Sequence, residues 1–123
     1  TKGVPMYVLG TDLERNRVIV GYDSDLFARE AHTETPHWIG EAQAGPFHAE
    51  VMIRYRMTPV PATVVPSGSG LRITFDDPQR AITPGQFAAI YHGDELLGSA
   101  VISENPLIAT REPLAGSADL VPR

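Results

Sequence analysis

A chain of 123 residues has room for one domain, and 42% hydrophobic with 20% charged residues is the composition of an ordinary globular fold. The absence of cysteine excludes a disulfide framework, a thiolate metal site and a thiol nucleophile, and no apolar run approaches the ~20 residues that span a bilayer as a helix. The net charge of -5 argues against a free-standing polyanion binder, yet it is unevenly spread: residues 51–91 hold four arginines against two aspartates, and both flanks are acidic. With no secretory signal in view, the expected location is the cytoplasm.

Eleven glycines and eleven prolines punctuate a pattern of period two, which predicts an all-β fold with almost no helix. Residues 7–9 and 17–21 read as a hairpin turned about Glu14-Arg15-Asn16, where Asn tolerates a left-handed backbone. One helical turn is expected over 24–28, then a strand over 29–34 leading to His37-Trp38. Residues 47–56 form the clearest strand. Phe47, Ala49, Val51, Ile53 and Tyr55 share one face, and His48, Glu50, Met52, Arg54 and Arg56 the other. On this alternation Tyr55 belongs to the apolar side. Strands at 63–65 and 71–75 flank the flexible turn Pro66-Ser67-Gly68-Ser69-Gly70, with Leu71, Ile73 and Phe75 inward. A last hairpin, 86–91 and 95–102, turns at His92-Gly93-Asp94. Seven or eight short strands suggest a small closed or nearly closed barrel, although periodicity alone does not separate barrel from sandwich.

After Ile102 the alternation stops, so residues 1–103 are expected to be the folded domain and 104–123 a disordered tail. Its end, Leu120-Val121-Pro122-Arg123, matches what thrombin leaves behind and reads as the scar of a cleaved tag.

Little in the chain suggests catalysis. His32, His37, His48 and His92 have no metal-ligand spacing, and no metal site is expected. The carboxylate pairs Asp76-Asp77 and Asp23 with Asp25 fall at expected turns, where Asp before Pro78 is ordinary turn chemistry. Ser67 and Ser69 lie in a flexible turn without a nucleophile elbow, and Gly68-x-Gly70 precedes a strand, not the helix a phosphate loop requires. Trp38 is either a stacking platform or, more in keeping with its neighbours, a plug at one end of the barrel. The four central arginines are, on composition alone, solvated surface.

Several segments together carry a more specific signal. Ile53-Arg54-Tyr55-Arg56, Pro59-Val60-Pro61-Ala62-Thr63-Val64 and the run from Phe75 through Asp76-Asp77-Pro78 to Thr83-Pro84-Gly85-Gln86 resemble, in order and spacing, the C-terminal β-barrel of bacterial tRNA-specific 2-thiouridylases. Tyr7-Val8-Leu9-Gly10-Thr11-Asp12, His37-Trp38 and Tyr91-His92-Gly93-Asp94-Glu95-Leu96 extend the resemblance over residues 3–103. Departures are small: Asp76-Asp77 stands where Asp-Glu is usual, and Gly98-Ser99-Ala100 replaces a glycine run.

The resemblance implies a six-stranded-type barrel similar to those of translation elongation factors. It also implies a parent enzyme that activates the wobble uridine of tRNA with ATP and magnesium and delivers persulfide sulfur from a cysteine. This chain lacks the family's Ser-Gly-Gly-x-Asp-Ser loop and both cysteines. It is therefore expected to be only the last domain of such an enzyme, with no cofactor of its own and no activity alone. The implied partners are the tRNA anticodon arm, the nucleotide-binding and central domains of the parent, and a sulfur-relay donor; no membrane is implicated. Arg54, Tyr55 and Gln86 fall on motif positions that the family uses for tRNA contact. Arg can span phosphate or guanine edges, Tyr can stack on an unpaired base, and Gln can bond a base edge. The competing reading is a structural or protein-interaction barrel without RNA contact; a small hydrolase using the acidic pairs is a remote third.

Overall fold

The computed structural model describes residues 3–109 and 121–122. Strands β1 (Tyr7–Asp12) and β2 (Arg17–Gly21) form the expected antiparallel hairpin, from Tyr7↔Gly21 to Asp12↔Arg17. Asn16 sits at φ 54 in its turn, the left-handed conformation that Asn tolerates. A 3-10 turn, Asp23–Leu26, follows, its start held by the Tyr22 amide donating to Asp25 Oδ2 at 2.8 Å. Leu9, Ile19 and Leu26 make a small core of their own.

The second sheet is larger. Strands β3 (Phe27–His32), β4 (His37–Trp38), β5 (Phe47–Met52), β6 (Val60–Ser67), β7 (Gly70–Arg80), β8 (Phe87–His92) and β9 (Glu95–Val101) lie in the order β3-β7-β6-β5-β8-β9-β4, all neighbours antiparallel. The sheet curls until the end of β3 meets the end of β9: Thr33 bridges Ile102, Glu34 N donates to Val101 O and Ser103 N to His32 O, both at 2.8 Å. It is thus a barrel-like, not strictly closed sheet, with β4 added outside the ring on β9. Inward side chains of every strand of that ring fill one core, with Val51, Val64, Ile73, Phe75, Ile82, Ile90 and Ile102 all but fully buried.

The seam is close-fitting. Thr33, the buried polar residue there, donates its hydroxyl to Glu34 O at 2.8 Å and accepts from Leu71 N at 3.0 Å. Gly70 passes so near that a Cβ would stand 1.9 Å from Thr33 O.

Three expectations need correction. Strand β5 ends at Met52, not at residue 56: the chain turns at residues 54–57, with Met57 N donating to Arg54 O at 3.2 Å and Arg56 at φ 66. Strand β6 runs from 60 to 67 despite Pro61 and Pro66. Pro61 lies beyond the stretch paired with β7 and Pro66 beyond that paired with β5, so each faces one partner strand and a ladder is not broken. Finally, Asp76-Asp77-Pro78 is not a turn. It lies within β7 where pairing with β3 jumps from Glu30↔Thr74 to Ala28↔Gln79, an irregular bulge that absorbs the proline.

Of the expected tail, residues 110–120 and 123 lie outside the described residues. Pro106–Ala109 makes one helical turn, Leu107 packs on the small core, and Asn105 Nδ2 donates to Leu9 O at 2.9 Å. Val121–Pro122 (β10) pairs with β2.

Candidate nucleic-acid interface

Two loops leave the barrel side by side. The first continues β5: Ile53, only 3% exposed, anchors it, and residues 54–57 turn outward. The second connects β7 to β8. Its anchor is fully buried Ile82, and Ala81 N donates to Leu26 O at 2.8 Å. Ala81 takes φ 56, an unusual conformation for a residue with a Cβ. Past Pro84 the chain turns back through Gly85 at φ 91, and Gln86 closes the turn: Thr83 N donates to Gln86 Oε1 at 3.0 Å, and Ile102 N to Gln86 O at 2.9 Å.

The carbonyl of Ala81 joins the two loops. It accepts from Arg54 Nη2 at 3.3 Å and from Gln86 Nε2 at 3.2 Å. Arg54 and Gln86 therefore come together through a shared carbonyl between the two loops. Both are half-buried. Arg54 commits one of its five N–H groups to this bond, whereas both ends of the Gln86 amide are engaged.

Tyr55 is the sharpest departure from the strand reading. It is 86% exposed, because β5 has ended before it and the turn swings it out. Arg56 lies over its ring, Cζ 5.5 Å from the centroid, within cation–π range. Beside it runs an open groove of about 280 Å³ lined by Met52, Ile53, Arg54, Tyr55, Phe87 and Ala89. Phe87, 67% exposed, was not singled out in the sequence. Its signal was available: Ala88 and Ile90 are the inward residues of β8, so Phe87 had to point out.

Two unpaired arginines lie on this surface. Among the described residues neither Arg54 nor Arg56 has a carboxylate within ion-pair distance, a state shared with Arg17, Arg29 and Arg72, whereas Arg15 pairs with Asp12 and Arg80 with Asp23. Arg29 donates to the Asp76 carbonyl. The other candidates lie apart. His32 is bonded to Glu30 at 2.7 Å and His48 to Thr63 at 3.3 Å, and among the described residues no group of three or more His, Asp or Glu could hold a metal ion. Trp38 packs on Phe47, ring centroids 6.1 Å apart, against the barrel core.

The comparisons with known proteins are concordant. Residues 28–102 match the family model described as the aminomethyltransferase beta-barrel domain. The chain is 43% identical over 102 residues to the tRNA-specific 2-thiouridylase of Nostoc punctiforme, covering 81% of this chain and 29% of that protein. It is 43% identical over 112 residues to the enzyme of that name from a Synechococcus strain (89% of this chain, 31% of the relative) and 41% identical over 102 residues to that of Pseudomonas syringae (80% and 27%). The chain thus spans about three-tenths of the length of these relatives.

Proposed function

The chain belongs to the aminomethyltransferase β-barrel domain family, in the form found in tRNA-specific 2-thiouridylases, and we propose that it is the tRNA-contacting domain of an enzyme that 2-thiolates the wobble uridine. The observation that carries this reading is the convergence of Arg54 and Gln86 on one carbonyl beside an exposed Tyr55 and an Arg56 that has no carboxylate partner among the described residues. This is a small cationic, aromatic surface on an otherwise acidic chain. Arg54 keeps four N–H groups for phosphate, and Tyr55 offers a ring and a hydroxyl to an unpaired nucleotide. In this proposal the anticodon arm lies against the two loops. Activation with ATP and magnesium and delivery of sulfur belong to other parts of a cytoplasmic parent enzyme, whose remaining domains and sulfur donor are the further partners.

A second reading, a structural or protein-interaction barrel, draws on one specific observation: Gln86 uses both its amide oxygen and its amide nitrogen to hold its own loop. Binding measurements on the complete enzyme separate the two. Arg54→Ala is expected to weaken tRNA binding by roughly 1–3 kcal/mol and to flatten its salt dependence, and Gln86→Ala to cost about 1 kcal/mol. Wild-type affinity in both folded variants, at low and physiological salt, would leave the structural reading standing.

A further inference from the structure

We propose that the groove between Tyr55 and Phe87 is a stacking site for one unpaired RNA base, with Arg56 taking the adjoining phosphate; this deepens the tRNA reading and rests on it. Two aromatic side chains, 86% and 67% exposed, line one groove, and a ring left in water forgoes most of its burial free energy. They do not satisfy each other: among the described residues the close ring pair is Trp38 with Phe47. Between them the floor is made by Met52 and Ala89, a directly opposed pair of β5 and β8, so it sits on rigid sheet. At about 280 Å³ the groove lies just under the ~300 Å³ at which pockets for drug-sized ligands begin, a size for one planar ring system.

Charge selects the occupant. None of the six lining residues is acidic, and Glu50, on the same face of β5, is turned to the Gly93 amide at 3.0 Å. Arg54 is tied to Ala81 O, whereas among the described residues the Arg56 guanidinium rests only on the Tyr55 ring and can swing to a phosphate while the ring takes a base. A planar ring carrying a negative charge one sugar away is a nucleotide. An apolar protein segment would leave Arg56 without a counter-charge. Stacking requires the base to be unstacked from its neighbours, so the site selects loop over duplex.

The test uses this chain with a hairpin RNA carrying 2-aminopurine in its loop, and a duplex of the same sequence as control, at low salt. The hairpin probe should be quenched on binding and the duplex probe should not. Phe87→Ala, at an exposed position, should keep the melting temperature, abolish the quenching and weaken hairpin binding about tenfold. Arg56→Gln should keep the quenching but lower the slope of log K against log salt by about 0.7. If Phe87→Ala leaves quenching and affinity intact while Arg54→Ala weakens binding, the stacking site is wrong and the tRNA reading survives. If the chain binds no hairpin even at low salt, the stacking site falls, and the tRNA reading is decided by the Arg54 variant of the complete enzyme.

Discussion

The Ala81 carbonyl makes a quantitative prediction, because one acceptor is shared by two donors from different loops. Arg54→Ala removes a bond of 3.3 Å, at the long end of the range, and leaves Gln86 Nε2 in place, so it should cost about 0.5–1 kcal/mol of folding stability. Gln86→Ala removes that second donor and also the acceptor of Thr83 N at 3.0 Å, for about 1–2 kcal/mol. In the double variant a half-buried carbonyl at positive φ has neither side-chain partner. The loss should exceed the sum of the singles by about 0.5–1 kcal/mol. Urea denaturation of the four proteins, with unchanged m-values as the check on two-state unfolding, measures the excess directly. Additivity to within about 0.3 kcal/mol would refute the idea that Arg54 and Gln86 act through one carbonyl.

Other expectations concern the seam and the chemistry. Thr33→Val keeps shape but leaves Leu71 N without its acceptor, which should cost about 2 kcal/mol, roughly 6–8 °C in melting temperature for a domain of this size; a drop under about 2 °C would show the seam to be unimportant. Gly70→Ala would set a Cβ 1.9 Å from Thr33 O and should cost about 3 kcal/mol or more by calorimetry, since backbone on one side must move. Incubated with ATP, magnesium, a sulfide source and unmodified tRNA, this chain should form no 2-thiouridine by mass spectrometry, because it has no cysteine to carry sulfur.

The barrel was largely legible because alternation is a local property. Val51, Ile53, Leu71, Ile73 and Phe75 were assigned inward, and all are buried. What misled was punctuation. Pro66 and Pro78 read as turn residues, yet whether a proline breaks a strand depends on how many neighbours it must bond, and that is a matter of topology. Tyr55 fails for the converse reason. Alternation was extended through Ile53, which is indeed buried, into a segment where Arg56 reverses the backbone, and nothing in the period-two pattern announces that reversal. The resemblance puts Arg54 and Gln86 both at tRNA-contact positions, but their meeting on the carbonyl of a residue as plain as Ala81 has no signature in sequence at all.

Backbone strain gives the candidate surface a physical rationale independent of resemblance. Of the non-glycine residues at positive φ among those described, Asn16 suits its turn, and the other two, Arg56 and Ala81, both belong to the two loops. Each costs about 1–2 kcal/mol relative to an ordinary conformation, and glycine would make either turn with less strain. At Ala81 the cost is offset by three bonds, from its own amide to Leu26 O and to its carbonyl from Arg54 and Gln86. At Arg56 the described compensation is one backbone bond across the turn and the contact with Tyr55, so its side chain is held out at a net cost. The two halves of the surface should therefore respond differently to substitution. At Arg54 and Gln86, stability and RNA affinity should fall together, because these residues shape the loop that presents the surface. Arg56→Gly relieves strain while adding chain entropy and losing a cation–π contact, which nearly cancel, so affinity should fall with stability unchanged to within about 0.5 kcal/mol. A variant that lost both in proportion would place Arg56 in the scaffold instead.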